Sequence, residues 1–105
     1  MTAATLPAPM ARRGSLSRGV VPLRAYLVEM VSGTVPGDDG GTFTIERYRV
    51  PPNYADAGTE FLRMTRDGRW VVAWAYSGRR TDKCAEEYQT MIADIGDWIT
   101  GRIEA

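Results

Sequence analysis

The chain has no histidine, a single cysteine and a single lysine among its 105 residues. Without an imidazole there is no histidine-based triad or proton shuttle. One thiol and no histidine also leave a zinc, haem or iron–sulfur site short of its usual ligands. The expectation is therefore a protein with no catalytic residues, no cofactor and no metal. No run of about 18 apolar residues occurs, so no membrane span is expected. The first ten residues lack the apolar core of a secretory signal. Cys84 has no second cysteine to pair with, which fits a reducing, cytoplasmic setting.

What is present is ordinary for a folded domain: 44% hydrophobic and 25% charged residues, too apolar for wholesale disorder. The charges balance at thirteen against thirteen but are unevenly laid out. Residues 1–24 hold Arg12, Arg13, Arg18 and Arg24 and no acid, whereas residues 81–105 hold six acids against Lys83 and Arg102. Residues 1–19 mix Pro, Gly, Ser, Ala and Arg without hydrophobic period and read as a flexible basic arm. Their arginine and serine content resembles a transit peptide, but Pro7, Pro9, Gly14 and Gly19 interrupt any amphipathic helix. Residues 20–105 read as a single domain of α+β class: an antiparallel meander of three or four strands with one C-terminal helix packed on one face.

Leu23, Tyr26, Leu27, Met30 and Val31 recur at helical spacing. The Gly-rich loop that closes this segment leads straight into a strand pattern, however, and a hairpin makes residues 20–31 a strand. Thr42–Val50 alternates, but its apolar phase slips between Ile45 and Tyr48, as in a bulged strand or one covered on different sides at its two ends. Phe61–Thr65 and Trp70–Tyr76 form a hairpin around Asp67-Gly68, a type I′ turn pair. From Thr81 the period becomes 3.6, with Cys84, Tyr88, Met91, Ile92, Ile95, Trp98, Ile99 and Ile103 on one stripe. Thr81 or Asp82 is the expected N-cap.

Candidate chemistry is sparse. Cys84 sits on the apolar stripe with no imidazole to activate it and reads as a packing residue. The loop Pro36–Gly41 has glycines but no Gly-Lys-Ser/Thr ending, and Asp38 and Asp39 would repel a phosphate. The acids are scattered, without a neighbourhood that would raise a pKa as acid–base catalysis needs.

The strand Arg69–Tyr76 is the exception. Period two places Trp70, Val72, Trp74 and Tyr76 on one face and Val71, Ala73 and Ala75 on the other. Both faces are apolar, and one helix covers only one of them. The small residues are expected beneath the helix, leaving the aromatic face for the N-terminal arm, a second copy or a foreign partner; the alternative is the reverse, with the tryptophans themselves the core beneath the helix and Trp98 beside them. Trp, Tyr and Arg dominate binding hot spots, so Trp70, Trp74, Tyr76, Arg47, Arg49, Arg63 and Arg69 are the candidate partner-binding residues. The same arginines and aromatics could stack and neutralise single-stranded nucleic acid or DNA, although a net charge of zero opposes it. The run Arg66-Asp67-Gly68-Arg69-Trp70-Val71-Val72, with a helix after Ser77-Gly78-Arg79-Arg80, is similar to the sheet-plus-helix arm-type DNA-binding domain of some phage-type tyrosine recombinases. That likeness implies a DNA-binding sheet, but the further strand it requires between residue 80 and the helix is missing. The main expectation is a small non-enzymatic protein that binds a protein partner or itself as a homodimer, such as an adaptor or inhibitor. Twelve arginines against one lysine suggest a GC-rich genome and a bacterial or phage accessory protein acting on a host or defence complex.

Overall fold

Alternating β-branched and aromatic residues give four long strands, and the change to a 3.6 period at Thr81 gives the helix that roofs them. The computed structural model describes residues 13–35 and 41–95. The strands are β1 (Arg13–Ser15), β2 (Tyr26–Thr34), β3 (Thr42–Arg49), β4 (Glu60–Arg66) and β5 (Arg69–Tyr76), followed by helix α1 (Thr81–Ala93). They form one antiparallel sheet in the order β1-β5-β4-β3-β2, so β2 to β5 are the four-stranded meander and β1 is added outside β5. The architecture is α+β. Among the described residues no helix is long and apolar enough to cross a membrane.

The helix face of the sheet is built from Val31, Ile45, Leu62, Met64, Val72 and Tyr76, which pack against Cys84, Tyr88, Met91 and Ile95. This reverses the expectation that Val71, Ala73 and Ala75 lie under the helix. A bulge also splits the aromatic face: Thr65 pairs with Trp70 but Met64 pairs with Val72, leaving Val71 as an extra residue. Beyond it, Val72, Trp74 and Tyr76 face the helix beside Met64, Leu62 and Glu60, while Trp70 shares the opposite face with Thr65. The three aromatics expected together are therefore divided between the two sides.

Strand β3 pairs with β4 without a register shift, which settles its apolar slip in favour of covering on different sides. Phe43 and Ile45 face the helix at one end, and Tyr48 faces away from it at the other. Of the strand expected over residues 20–31, 26–31 are strand and it runs on to Thr34, whereas 20–25 are not strand and include a turn in which Ala25 N–H donates to the Pro22 carbonyl at 3.0 Å. Asp67 and Gly68 both have positive φ, 51° and 83°, as a type I′ turn requires.

Two boundaries differ from the sequence reading. A 3-10 turn over Gly78–Arg80 runs directly into α1, so Thr81 is already helical and the N-cap position falls on Arg80, which makes no side-chain capping bond. Residues 13–19, read as the end of the arm, instead supply β1 and a 3-10 turn, Ser17–Gly19, lying along β5. The remainder of the arm, the Asp38-Asp39 loop and the outer part of the helical stripe (Trp98, Ile99, Ile103) lie outside the described residues.

Candidate interaction surface

Because β1 lies at one edge and β2 at the other, residues 16–25 must traverse the sheet, and they do so on the face away from α1. Gly19 marks the crossing. It is buried with φ +68°, and a Cβ there would stand 2.6 Å from Trp70 Cγ, so only glycine lets the chain lie this close to the indole. Arg63 ties the crossing down by donating from Nη1 to the Gly19 carbonyl at 2.9 Å. The same guanidinium donates from Nε to Glu46 Oε1 at 2.8 Å and lies 5.7 Å from the Tyr48 ring centroid. Tyr48 donates its hydroxyl to Glu46 Oε2 at 3.1 Å; burial, and then the Glu46 charge, push its pKa up.

The helix face carries a second arginine–glutamate cluster, with a buried carboxylate at its centre and Arg49 and Glu29 partly exposed at its rim. Glu60 is 0% exposed. Arg47 donates to it from Nε at 2.8 Å and Nη2 at 3.2 Å, and Arg49 from Nε at 2.7 Å. Arg47 also holds Glu29 of β2. These hydrogen bonds to Glu60 raise both guanidinium pKa values further. The Cys84 thiol lies against the same carboxylate, and burial followed by the Glu60 charge push its pKa up to about 12. A thiol held neutral in this way is no nucleophile at ordinary pH. Tyr76 is buried and donates to Glu87 Oε1 of α1 at 2.6 Å.

The seven residues singled out in the sequence therefore do not form one surface. Arg47, Arg49, Trp74 and Tyr76 belong to the helix face; Arg63 and Trp70 lie on the crossing face. Arg69 is exposed at the β4–β5 turn, where a hollow of about 450 Å³ is lined by Arg66, Asp67, Arg69, Trp70 and Val71. Asp67 in that hollow accepts the Thr42 N–H at 2.9 Å and so fastens the turn to the start of β3.

The apolar residues left open to solvent lie elsewhere. Among the described residues the exposed large hydrophobics are Val20, Leu23, Tyr26, Leu27, Met30, Tyr54 and Trp70, and the first five come from one short stretch of chain. Leu23 is fully exposed and Met30 is 48% exposed. Leu27 and Met30 pair with Tyr48 and Glu46, which puts them on the crossing face at the outer edge of the sheet. The sequence held a signal for this. A helix-period stripe over residues 23–31 that folds as a strand cannot bury all its members, because a strand turns alternate residues to opposite sides. Compared with protein-family models, curated proteins and solved structures, the chain matches none of them.

Proposed function

We propose that this chain is a small non-enzymatic binding protein that docks a protein partner on the β2 side of its crossing face. The carrying observation is the exposure of Leu27 and Met30 on the crossing face of β2, the edge strand of the described sheet, with Val20 and Leu23 exposed on the segment that leads into it. Exposed large apolar side chains gathered on one side of a molecule mark interaction sites. An adaptor or inhibitor role, of the kind a bacterial or phage accessory protein provides, needs only such a surface. The non-enzymatic reading draws support from the arginines and glutamates of both clusters being engaged with one another, and from the neutral thiol of Cys84.

Nucleic-acid binding is the second reading, favoured by the meeting of Arg69 and Trp70 at the hollow. It loses support because Arg47 and Arg49, expected to track phosphates, are bound to Glu60 on the helix face. The two readings separate in one experiment. Capture of a protein from lysate by the wild-type chain, abolished by Met30→Arg with an unchanged circular dichroism spectrum, supports protein docking. Binding to single-stranded DNA that weakens steeply with salt and with Arg69→Ala, and is indifferent to Met30→Arg, would replace it.

A further inference from the structure

We propose a second binding site, separate from the β2 side and independent of the docking reading there: the hollow at the β4–β5 turn takes an extended acidic peptide that pairs along the bare part of the β5 edge. The edge comes first. Strand β1 covers β5 only from Trp74 to Tyr76. Its line ends where the Leu16 N–H donates to the Ala73 carbonyl at 3.1 Å, and the chain then turns off through Ser17–Gly19. Among the described residues no strand lies beside Arg69 to Val72 on that side. An edge of this kind accepts a further strand through main-chain hydrogen bonds, as in β-augmentation by an extended peptide. The chain already uses the other half of the same edge in this way, with β1 as the added strand.

The side chains at that edge select the peptide. Three consecutive edge residues, Arg69, Trp70 and Val71, line the hollow together with Arg66 and Asp67 of the turn. Arg69 is exposed, and no described residue pairs with it. Arg18, exposed on the turn that lays Gly19 against Trp70, is likewise uncommitted. Asp67, the one acid of the lining, accepts the Thr42 N–H and stands 3.8 Å from Arg66 Nε. The balance is positive, and an arginine fork holds a carboxylate by charge-assisted hydrogen bonds. Trp70 is half exposed while Gly19 packs against its ring, so the indole is a fixed apolar wall for a neighbouring side chain. The bulge at Val71 interrupts the regular spacing of the edge, and the added strand is therefore short, like the three-residue β1. A nucleic-acid strand could use the arginines and the indole but not the main-chain groups of the edge. The further arginines it would need are bound to Glu60 and Glu46.

Fluorescence anisotropy of a labelled octapeptide of alternating glutamate and valine, titrated with the full chain, tests this. The expected result is saturable binding that Arg69→Ala weakens about tenfold, as for loss of one hydrogen bond to a charged group. Binding should be unchanged in Arg79→Ala, which removes an exposed arginine beyond the other end of β5. Replacing the glutamates of the peptide by lysine, or N-methylating its amides, should abolish binding. In NMR spectra the amide signals of residues 69–72 should shift on addition of the peptide and those of residues 26–34 should not. Arg69 is exposed, so Arg69→Ala is expected to fold, and its circular dichroism spectrum checks this. No binding by wild type at high micromolar concentration overturns the proposal. Undiminished binding of the N-methylated peptide overturns it by showing that the edge is not used, and equal losses in Arg69→Ala and Arg79→Ala overturn it as a general charge effect. Octathymidylate binding that Arg69→Ala weakens, with the acidic peptide unbound, overturns it in favour of nucleic acid.

Discussion

One glutamate on each face of the sheet is gripped by arginine, and the two surroundings could hardly differ more. Glu60 is sealed beneath α1 between Arg47 and Arg49, with a neutral thiol against it. Glu46, on the other face, shares Arg63 with a backbone carbonyl and a tyrosine and keeps some exposure. In the first case the ion pair is enclosed by a continuous helix. In the second it is overlaid by an irregular segment fastened at Gly19 and Arg63. The difference shows how a small sheet with two apolar faces can be roofed on both: regular structure covers the larger core, and a few specific tethers hold a thin cover over the rest. The thin cover leaves Leu27 and Met30 of β2 exposed and itself exposes Val20 and Leu23.

Removing Glu60 should break that comparison most severely. Glu60→Ala leaves Arg47, whose side chain is 12% exposed, as a cation without its main counter-ion, and loss of one partner of a buried pair costs about 3–5 kcal/mol. Glu46→Ala should cost about 1 kcal/mol or less, because Arg63 keeps the Gly19 carbonyl and some access to water. Urea unfolding of the two variants checks the contrast, and similar costs would contradict it. Next in size is Gly19→Ala. Its Cβ would collide with Trp70 and its φ would be strained, for an expected loss of about 1–3 kcal/mol together with a red-shifted tryptophan emission as the crossing segment lifts.

The thiol gives a pH test of the sealed side. An unfolded chain loses the Cys84 proton near the ordinary value of 9.0 and the folded chain near 12. Between those values the native state binds more protons than the unfolded state. Stability contributed by this group is therefore complete below pH 9 and declines as pH rises towards 12. Cys84→Ala should flatten that part of the profile. Native protein should also react slowly with a thiol reagent until it is unfolded. The smallest effect belongs to the open side: Met30→Arg should change unfolding stability by no more than about 0.5 kcal/mol, as for other exposed positions.

Much of this was legible in the residues. Alternation gave the strands, Asp67-Gly68 gave the tightest turn, and the stripe of Cys84, Tyr88 and Met91 gave the helix face. The bulge at Val71 was not legible, because both faces of β5 are apolar and a one-residue slip leaves no trace in such a pattern. Nor was the pairing of Arg47 and Arg49 with Glu60, which depends on the register between β3 and β4. Opposite charges across neighbouring strands could have suggested it, since Arg49 and Glu60 come opposite once the hairpin is drawn. Gly19 looked like one more small residue in a loose arm. Its role appears only when Trp70 is placed on the face the chain must cross.

Oxidative footprinting of the chain alone and bound to a protein captured from lysate tests the central proposal, that a partner covers the β2 side of the crossing face. The account predicts that Leu27 and Met30 are modified in the free chain and protected in the complex, while Met64 and Met91, both buried, stay protected throughout and Trp70 does not change. Protection of Trp70 in the complex, with Leu27 and Met30 as reactive as in the free chain, would contradict it.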